Sequence, residues 1–210
     1  VTEYDHAIVD DNYNSEDYEI KNKQHECIIK LPNSINGNTF FIENCDYCDI
    51  YLFDYSAQVT IVNCNYSNII IGPCQSSVYF RQCNNSKFII ACQQLRTREC
   101  ENIDLMLYST TRPTIESTIN LKLACYKLSY HVLQSQFESA NLSVYNNPWY
   151  NIYNFSKDNS DNIIEYLPYE TDIWYFMNKE KLKDQNIEFY HDIEKNNVTN
   201  SSSNCIPLTT

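Results

Sequence analysis

The chain has 210 residues, with 27 Asp and Glu against 15 Lys and Arg, and a formal charge of −12. That balance argues against nucleic acid or an anionic membrane as the main partner, since both repel an acidic surface. No run of 18 apolar residues is present to cross a bilayer as a helix, and the length suits one domain with a sizeable core and polar flanks.

Residues 1–26 are acidic and polar and read as a flexible N-terminal segment outside the core. A repeat domain is expected over 27–155. Segments starting at Phe40, Val59, Val78, Leu95 and Pro113 each lie five residues before Cys45, Cys64, Cys83, Cys100 or Thr118, in steps of 19, 19, 17 and 18. Five residues after each marker stand Ile50, Ile69, Phe88, Leu105 and Leu123. Seven after it come Leu52, Ile71, Ile90, Leu107 and Cys125. Columns at a fixed period mean a stacked repeat, in which each unit buries its apolar face on its neighbours.

A unit of this length is too short for two helices, and its apolar residues alternate with the period of a strand. Three short strands per turn, cornered at Asn44, Asn63, Gln82 and Glu99, make one coil of a parallel β-helix, with rungs about 4.8 Å apart. An antiparallel sandwich fits less well. Hairpins would not hold the same side-chain types in register over five turns, and only Gly37 and Gly72 are available for hairpin turns.

Ten cysteines raise the question of disulfides or metal. The repeat accounts for Cys45, Cys64, Cys83 and Cys100 as one inward column of small buried side chains, and reduced core thiols imply an intracellular protein. Cys45-Asp46-Tyr47-Cys48 has half of a zinc-site spacing, but no second half exists, so no metal site is assigned. After the last rung the chain should fold back within 128–190 to cover the open end of the coil. Short helices are expected around 131–139 and 177–189, and 156–210 reads as a polar C-terminal extension.

The fourth rung, Cys92-Gln93-Gln94-Leu95-Arg96-Thr97-Arg98-Glu99-Cys100, is chemically unlike the others. Alternation turns Leu95 and Thr97 inward and Gln94, Arg96 and Arg98 outward on one face. Where Arg96 stands, the other rungs hold Phe41, Thr60, Tyr79 and Thr114; the column of Arg98 reads Glu43, Val62, Arg81, Arg98, Glu116. Glu116 should therefore lie one rung beyond Arg98 and diagonal to Arg96, within reach of an ion pair. A solvated surface pair contributes about 0–1 kcal/mol. A guanidinium on a rigid strand, flanked by an amide and a carboxylate, is also what reaching a phosphate requires.

Together, Gly72-Pro73, Ser77-Val78-Tyr79-Phe80-Arg81-Gln82-Cys83, Ala91-Cys92-Gln93-Gln94-Leu95-Arg96-Thr97-Arg98, Ile115-Glu116-Ser117 and Asn146-Asn147-Pro148-Trp149-Tyr150-Asn151-Ile152 resemble the tubulin-binding cofactor C domain family. Ile50-Tyr51-Leu52-Phe53-Asp54-Tyr55-Ser56-Ala57 and Leu95-Arg96-Thr97-Arg98-Glu99-Cys100 look closest to the retinitis pigmentosa 2 branch of that family. The resemblance implies a right-handed parallel β-helix with a short helical or irregular C-terminal cap. It also implies activation of GTP hydrolysis by an Arf-like small GTPase in its GTP state.

By the same resemblance Arg96 matches the catalytic arginine finger, Gln94 its supporting amide and Glu116 the carboxylate that positions it. Arg98 matches a structural brace for Glu116, and Gln93 a contact residue beside Gln94. Phe155, with Trp149 and Ile152, matches a segment that helps to contact the GTPase; packing of the coil's end is the alternative for Trp149 and Ile152. GTP and Mg²⁺ would belong to the partner, since this chain has no GxxxxGK[ST] motif and thus no cofactor of its own. The family branch also implies a cytoplasmic protein, membrane-associated through an N-terminal lipid anchor or placed at the ciliary base. It carries a second, nucleoside diphosphate kinase-like domain, for which the 55 residues of 156–210 are too short.

Two other classes stay open on the residues alone. A tubulin-directed activator or a non-catalytic GTPase- or cytoskeleton-binding module would use the same fold. A carbohydrate-active β-helix would want clustered outward carboxylates on adjacent rungs, whereas this face carries Arg81, Arg96 and Arg98 beside Glu116.

Overall fold

The computed structural model describes residues 15–156 and 164–190. Its corners explain its shape. Each turn bends at two residues held in the left-handed region, three apart: Asn44 and Tyr47, Asn63 and Tyr66, Gln82 and Asn85, Glu99 and Asn102, Ser117 and Asn120, with φ between 46° and 55°. Asn tolerates this conformation better than most side chains, and stacked corner amides bond along the coil, as in Asn63 Nδ2 to Asn44 Oδ1 at 2.9 Å and Asn120 Nδ2 to Asn102 Oδ1 at 2.9 Å.

The residue after each first corner takes up the carbonyl that the bend strands. Cys64 Sγ donates to the Val62 carbonyl at 3.4 Å, Cys83 to Arg81 at 3.3 Å, Cys100 to Arg98 at 3.2 Å, and Thr118 Oγ1 to Glu116 at 3.2 Å. The marker column therefore selects small inward donors and is more than apolar filler. The column is fully buried, and nine cysteines of the described residues are free. Elsewhere in the core, burial pushes the thiols of Cys74 and Cys92 up from their ordinary value, which keeps them unreactive.

The strands are β1 (Glu19–Gln24), β2 (Cys27–Lys30), β3 (Phe40–Asp46), β4 (Asp49–Leu52), β5 (Val59–Asn65), β6 (Asn68–Arg81), β7 (Asn84–Ser109) and β8 (Thr114–Cys125). All of their mutual pairings are parallel, and they form a solenoid of about 6 turns. The expected columns stack in register: Ile50 on Ile69, Ile69 on Phe88, Leu105 on Leu123, Cys45 on Cys64. Gly72 is required where it stands, because a Cβ there would lie 2.4 Å from the Asp54 carbonyl oxygen.

The coil starts earlier than the sequence suggests. Strand β1, inside the segment 1–26, pairs with β3 from Glu19 on Phe41 to Gln24 on Asp46. An end rung needs only one buried anchor, here Ile20, while Lys21 and Lys23 stay out in ion pairs with Glu19 and Glu26. At the far end, β9 (Tyr153–Asn154) lies on Thr114 and Ile115, and β10 (Ile164–Tyr166) on Leu121 to Leu123. These two short strands cover the last rung, so the region after 156 contributes to the coil.

The remaining fold-back covers a side of the coil and not its end. Outward residues Tyr51, Ile70, Ile89 and Met106 form a buried second cluster with Phe137, Ile173, Phe176 and Phe189. Helix α1 (Leu133–Ser139) sits within the expected 131–139. Over 177–189 the expected helix is replaced by one 3₁₀ turn, Lys179–Leu182. The buried residues Met177, Leu182, Ile187 and Phe189 are spaced by five, five and two, which gives no helical stripe.

Candidate functional site

Strand β7 carries the fourth rung and is hydrogen-bonded on both sides, to β6 and to β8. Alternation acts as expected: Leu95 and Thr97 are buried, while Gln93, Gln94, Arg96 and Arg98 are exposed. Below the surface, Thr97 Oγ1 bonds Thr118 Oγ1 at 2.8 Å, tying the fourth rung to the fifth. The column of Arg96 runs Phe41, Thr60, Tyr79, Arg96, Thr114 in strict register, and that of Arg98 places Arg81 on one side and Glu116 on the other. Gln94 stands against Ser77.

The two arginines differ in their bonding. Arg98 Nε lies 3.1 Å from Glu99 Oε1 and 3.8 Å from Glu116 Oε2. Glu116 thus pairs with Arg98, the brace expected of it, and among the described residues makes no ion pair with Arg96. The reason is register, because Glu116 stacks directly on Arg98 whereas Arg96 stacks on Thr114. Among the described residues, the Arg96 guanidinium has neither an ion pair nor a hydrogen bond. It borders a shallow groove of about 540 Å³ with Tyr79, Arg98, Thr114, Glu116 and Phe155.

The segment after α1 builds the rim of that groove. Phe155 is 60% exposed, and its amide donates to the Ile115 carbonyl at 2.7 Å. Trp149 and Ile152 are half-buried against the coil core, so they anchor the segment while Phe155 faces outward. The backbone carbonyl of Gln93 accepts from the hydroxyls of Thr110 at 3.1 Å and Thr111 at 2.8 Å, leaving its side chain exposed.

Sequence reasoning passed over Tyr153 and Arg112. Tyr153 extends the Arg96 column beyond Thr114 and meets Phe155 edge to face, ring centroids 4.8 Å apart. Its spacing of two from Phe155 was the available signal, since both must face one way if the segment is extended. Chemically, the groove offers a permanent planar cation that is unpaired among the described residues, set beside Tyr79 and Phe155 and the carboxylate of Glu116. Such a surface suits phosphate oxygens on another macromolecule.

A family model described as tubulin binding cofactor C matches residues 37–155. Protein XRP2 of Gallus gallus is 49% identical over 152 residues, covering 72% of this chain and 43% of that protein. Protein XRP2 of Homo sapiens is 51% identical over 140 residues, 67% of this chain and 40% of that protein. Protein XRP2 of Xenopus laevis gives the same identity and coverage. The chain therefore spans less than half the length of these curated relatives.

Proposed function

This chain belongs to the tubulin binding cofactor C family, and on that premise we propose that it accelerates GTP hydrolysis by an Arf-like small GTPase, with Arg96 as an arginine finger supplied in trans. The observation that carries the reading is Arg96 itself: exposed, unpaired among the described residues, and fixed on an interior strand of a parallel stack.

In this reading the GTPase brings GTP, Mg²⁺ and the residue that orients the attacking water. Arg96 enters the nucleotide site as the two proteins dock, and its guanidinium neutralises charge that develops on the phosphate oxygens in the transition state. Gln94, outward on the same strand, lines the approach, while Arg98 is held by Glu99 and Glu116 and keeps the platform in shape. Phe155 supplies an apolar contact at the rim. A strand, unlike a loop, places the finger without an ordering cost at the moment of docking. A cytoplasmic location with lipid-mediated membrane association belongs to the same proposal.

The test is single-turnover GTP hydrolysis by an Arf-like GTPase, with and without this protein. Acceleration of several orders of magnitude that vanishes with Arg96→Ala supports the proposal. Equal acceleration by the variant overturns it. The same assay on tubulin, the partner suggested by the family's description, decides which nucleotide-bearing protein is acted on.

A further inference from the structure

The geometry points to Arg112 as a positioning residue that holds the 151–155 strap in place and so sets Phe155 at the rim of the Arg96 groove, a role that rests on the GTPase-activating reading. Arg112 does not border the groove. It stands just ahead of β8, and its side chain grips the strap three times. Its Nε donates to the Asn151 carbonyl at 3.2 Å, its Nη2 donates to the Ile152 carbonyl at 3.4 Å, and its guanidinium carbon lies 4.8 Å from the centroid of the Tyr153 ring.

The strap needs such a clamp. Strand β9 has only two residues, paired in parallel with Thr114 and Ile115, and its flanks are tied by the Tyr153 amide on Pro113 at 2.8 Å and the Phe155 amide on Ile115 at 2.7 Å. Downstream, Ser156 Oγ accepts from the Ser117 amide at 2.9 Å. Upstream, Trp149 and Ile152 rest on the core. Between these anchors two carbonyls, those of Asn151 and Ile152, would otherwise face solvent, and the planar fork of Arg112 takes both while its face lies on Tyr153. Tyr153 in turn packs on Phe155. A chain of contacts therefore runs from Arg112 through Tyr153 to the ring that faces the partner, while Arg96 depends on none of them.

That separation predicts a split in kinetics. Arg112→Ala should loosen Phe155 before docking, so ordering it must be supplied by binding. The concentration of this protein giving half-maximal stimulation should rise about tenfold, equivalent to about 1.4 kcal/mol. The maximal single-turnover rate at saturation should stay within about twofold, because Arg96 is untouched. Arg112→Lys should recover only part of the loss, since an ammonium keeps the contact over the ring but not both forked bonds. Hydrogen exchange gives a readout independent of any GTPase: the amides of Tyr153 and Phe155 should exchange faster in Arg112→Ala, with those of Thr97 and Thr118 unchanged.

Unchanged exchange at Tyr153 and Phe155 overturns the clamp. Faster exchange with unaltered half-maximal concentration shows that the strap is no part of the interface, and overturns the docking role. A fall in maximal rate to match the fall in affinity makes Arg112 part of the finger's own support, which also overturns the assignment. If the wild-type protein accelerates neither an Arf-like GTPase nor tubulin, the functional reading fails and the docking role goes with it, while exchange still decides the clamp.

Discussion

Two outer faces of this coil obey the same alternation and meet opposite fates. On one, the stacked outward residues are Tyr51, Ile70, Ile89 and Met106, and all are fully buried under residues from α1 and the 173–189 segment. On the other, the stack is Phe41, Thr60, Tyr79, Arg96 and Thr114, which no described residue seals, with Phe41 45% exposed. Burying a branched or aromatic side chain contributes about 1.5–3 kcal/mol, enough over four rungs to hold a cover with little regular structure. The second face cannot be covered in this way, because sealing it would strip water from an arginine without giving it a partner. A face that the chain can seal becomes core. A face carrying an arginine that is unpaired among the described residues stays in water.

The sharpest way to break this comparison is Arg96→Ala. On an exposed position of a doubly paired strand it should leave a denaturation midpoint within experimental error. Stimulated hydrolysis should drop by about 10²–10⁵-fold toward the intrinsic rate of the partner, measured in single turnover beside a binding isotherm. Arg98→Ala should be milder in rate. If Arg98→Ala abolishes turnover while Arg96→Ala does not, the finger has been assigned to the wrong arginine.

The converse substitution is Ile89→Ala, in the middle of the sealed face. Losing a buried branched side chain leaves a cavity beneath the cover, and urea unfolding should show a loss of about 2–5 kcal/mol. Below the transition, stimulated hydrolysis should be unaltered. A stability change under 1 kcal/mol would mean that the cover merely rests on the coil.

How far the sequence disclosed this arrangement depends on repetition. The inward columns and the outward placement of Gln94, Arg96 and Arg98 were legible because five rungs repeat the same alternation. Strand β1 was not, because Ile20 is its one buried residue and a lysine, Lys23, stands where later rungs carry cysteine. The cover was legible only in part. Its apolar residues follow the shape of the coil's side and not a helical period, so a helix over 177–189 was expected where a single 3₁₀ turn forms. The stacking of Glu116 was legible, directly beyond Arg98 and diagonal to Arg96; which of the two arginines its carboxylate pairs with was not, because both long side chains lie within reach of it.

A smaller effect tests the inward side of the rung that bears Arg96. Thr97 and Thr118 share a buried hydroxyl bond at 2.8 Å, and the Thr118 hydroxyl donates to the Glu116 carbonyl at 3.2 Å. Thr97→Val keeps the shape and removes the donor, so the buried Thr118 oxygen keeps its bond to the Glu116 carbonyl but loses the one it accepts. A loss of about 1–3 kcal/mol is expected, with stimulated hydrolysis retained. Replacing both threonines by valine should recover part of that loss at the Thr97 side while freeing the Glu116 carbonyl, so the two changes should not add.

The smallest effect belongs to Glu116→Gln. The carboxylate and the Arg98 side chain are each nearly half exposed, at 47% and 49%, and their atoms approach only to 3.8 Å. Water and salt screen such a pair, so its contribution to folding is about 0–1 kcal/mol, and Glu99 at 3.1 Å remains to hold Arg98. Urea unfolding of Glu116→Gln should therefore be nearly superimposable on wild type. Any change should appear in binding to the GTP-loaded partner, as a modest loss that shrinks when salt is raised, because removing one negative charge alters the field that meets the partner more than it alters the fold. A destabilisation beyond 2 kcal/mol would place Glu116 on the structural side of the comparison, as a brace the coil cannot do without. Unchanged folding with weakened, salt-sensitive binding would place it with Arg96, on the face kept open for a second protein.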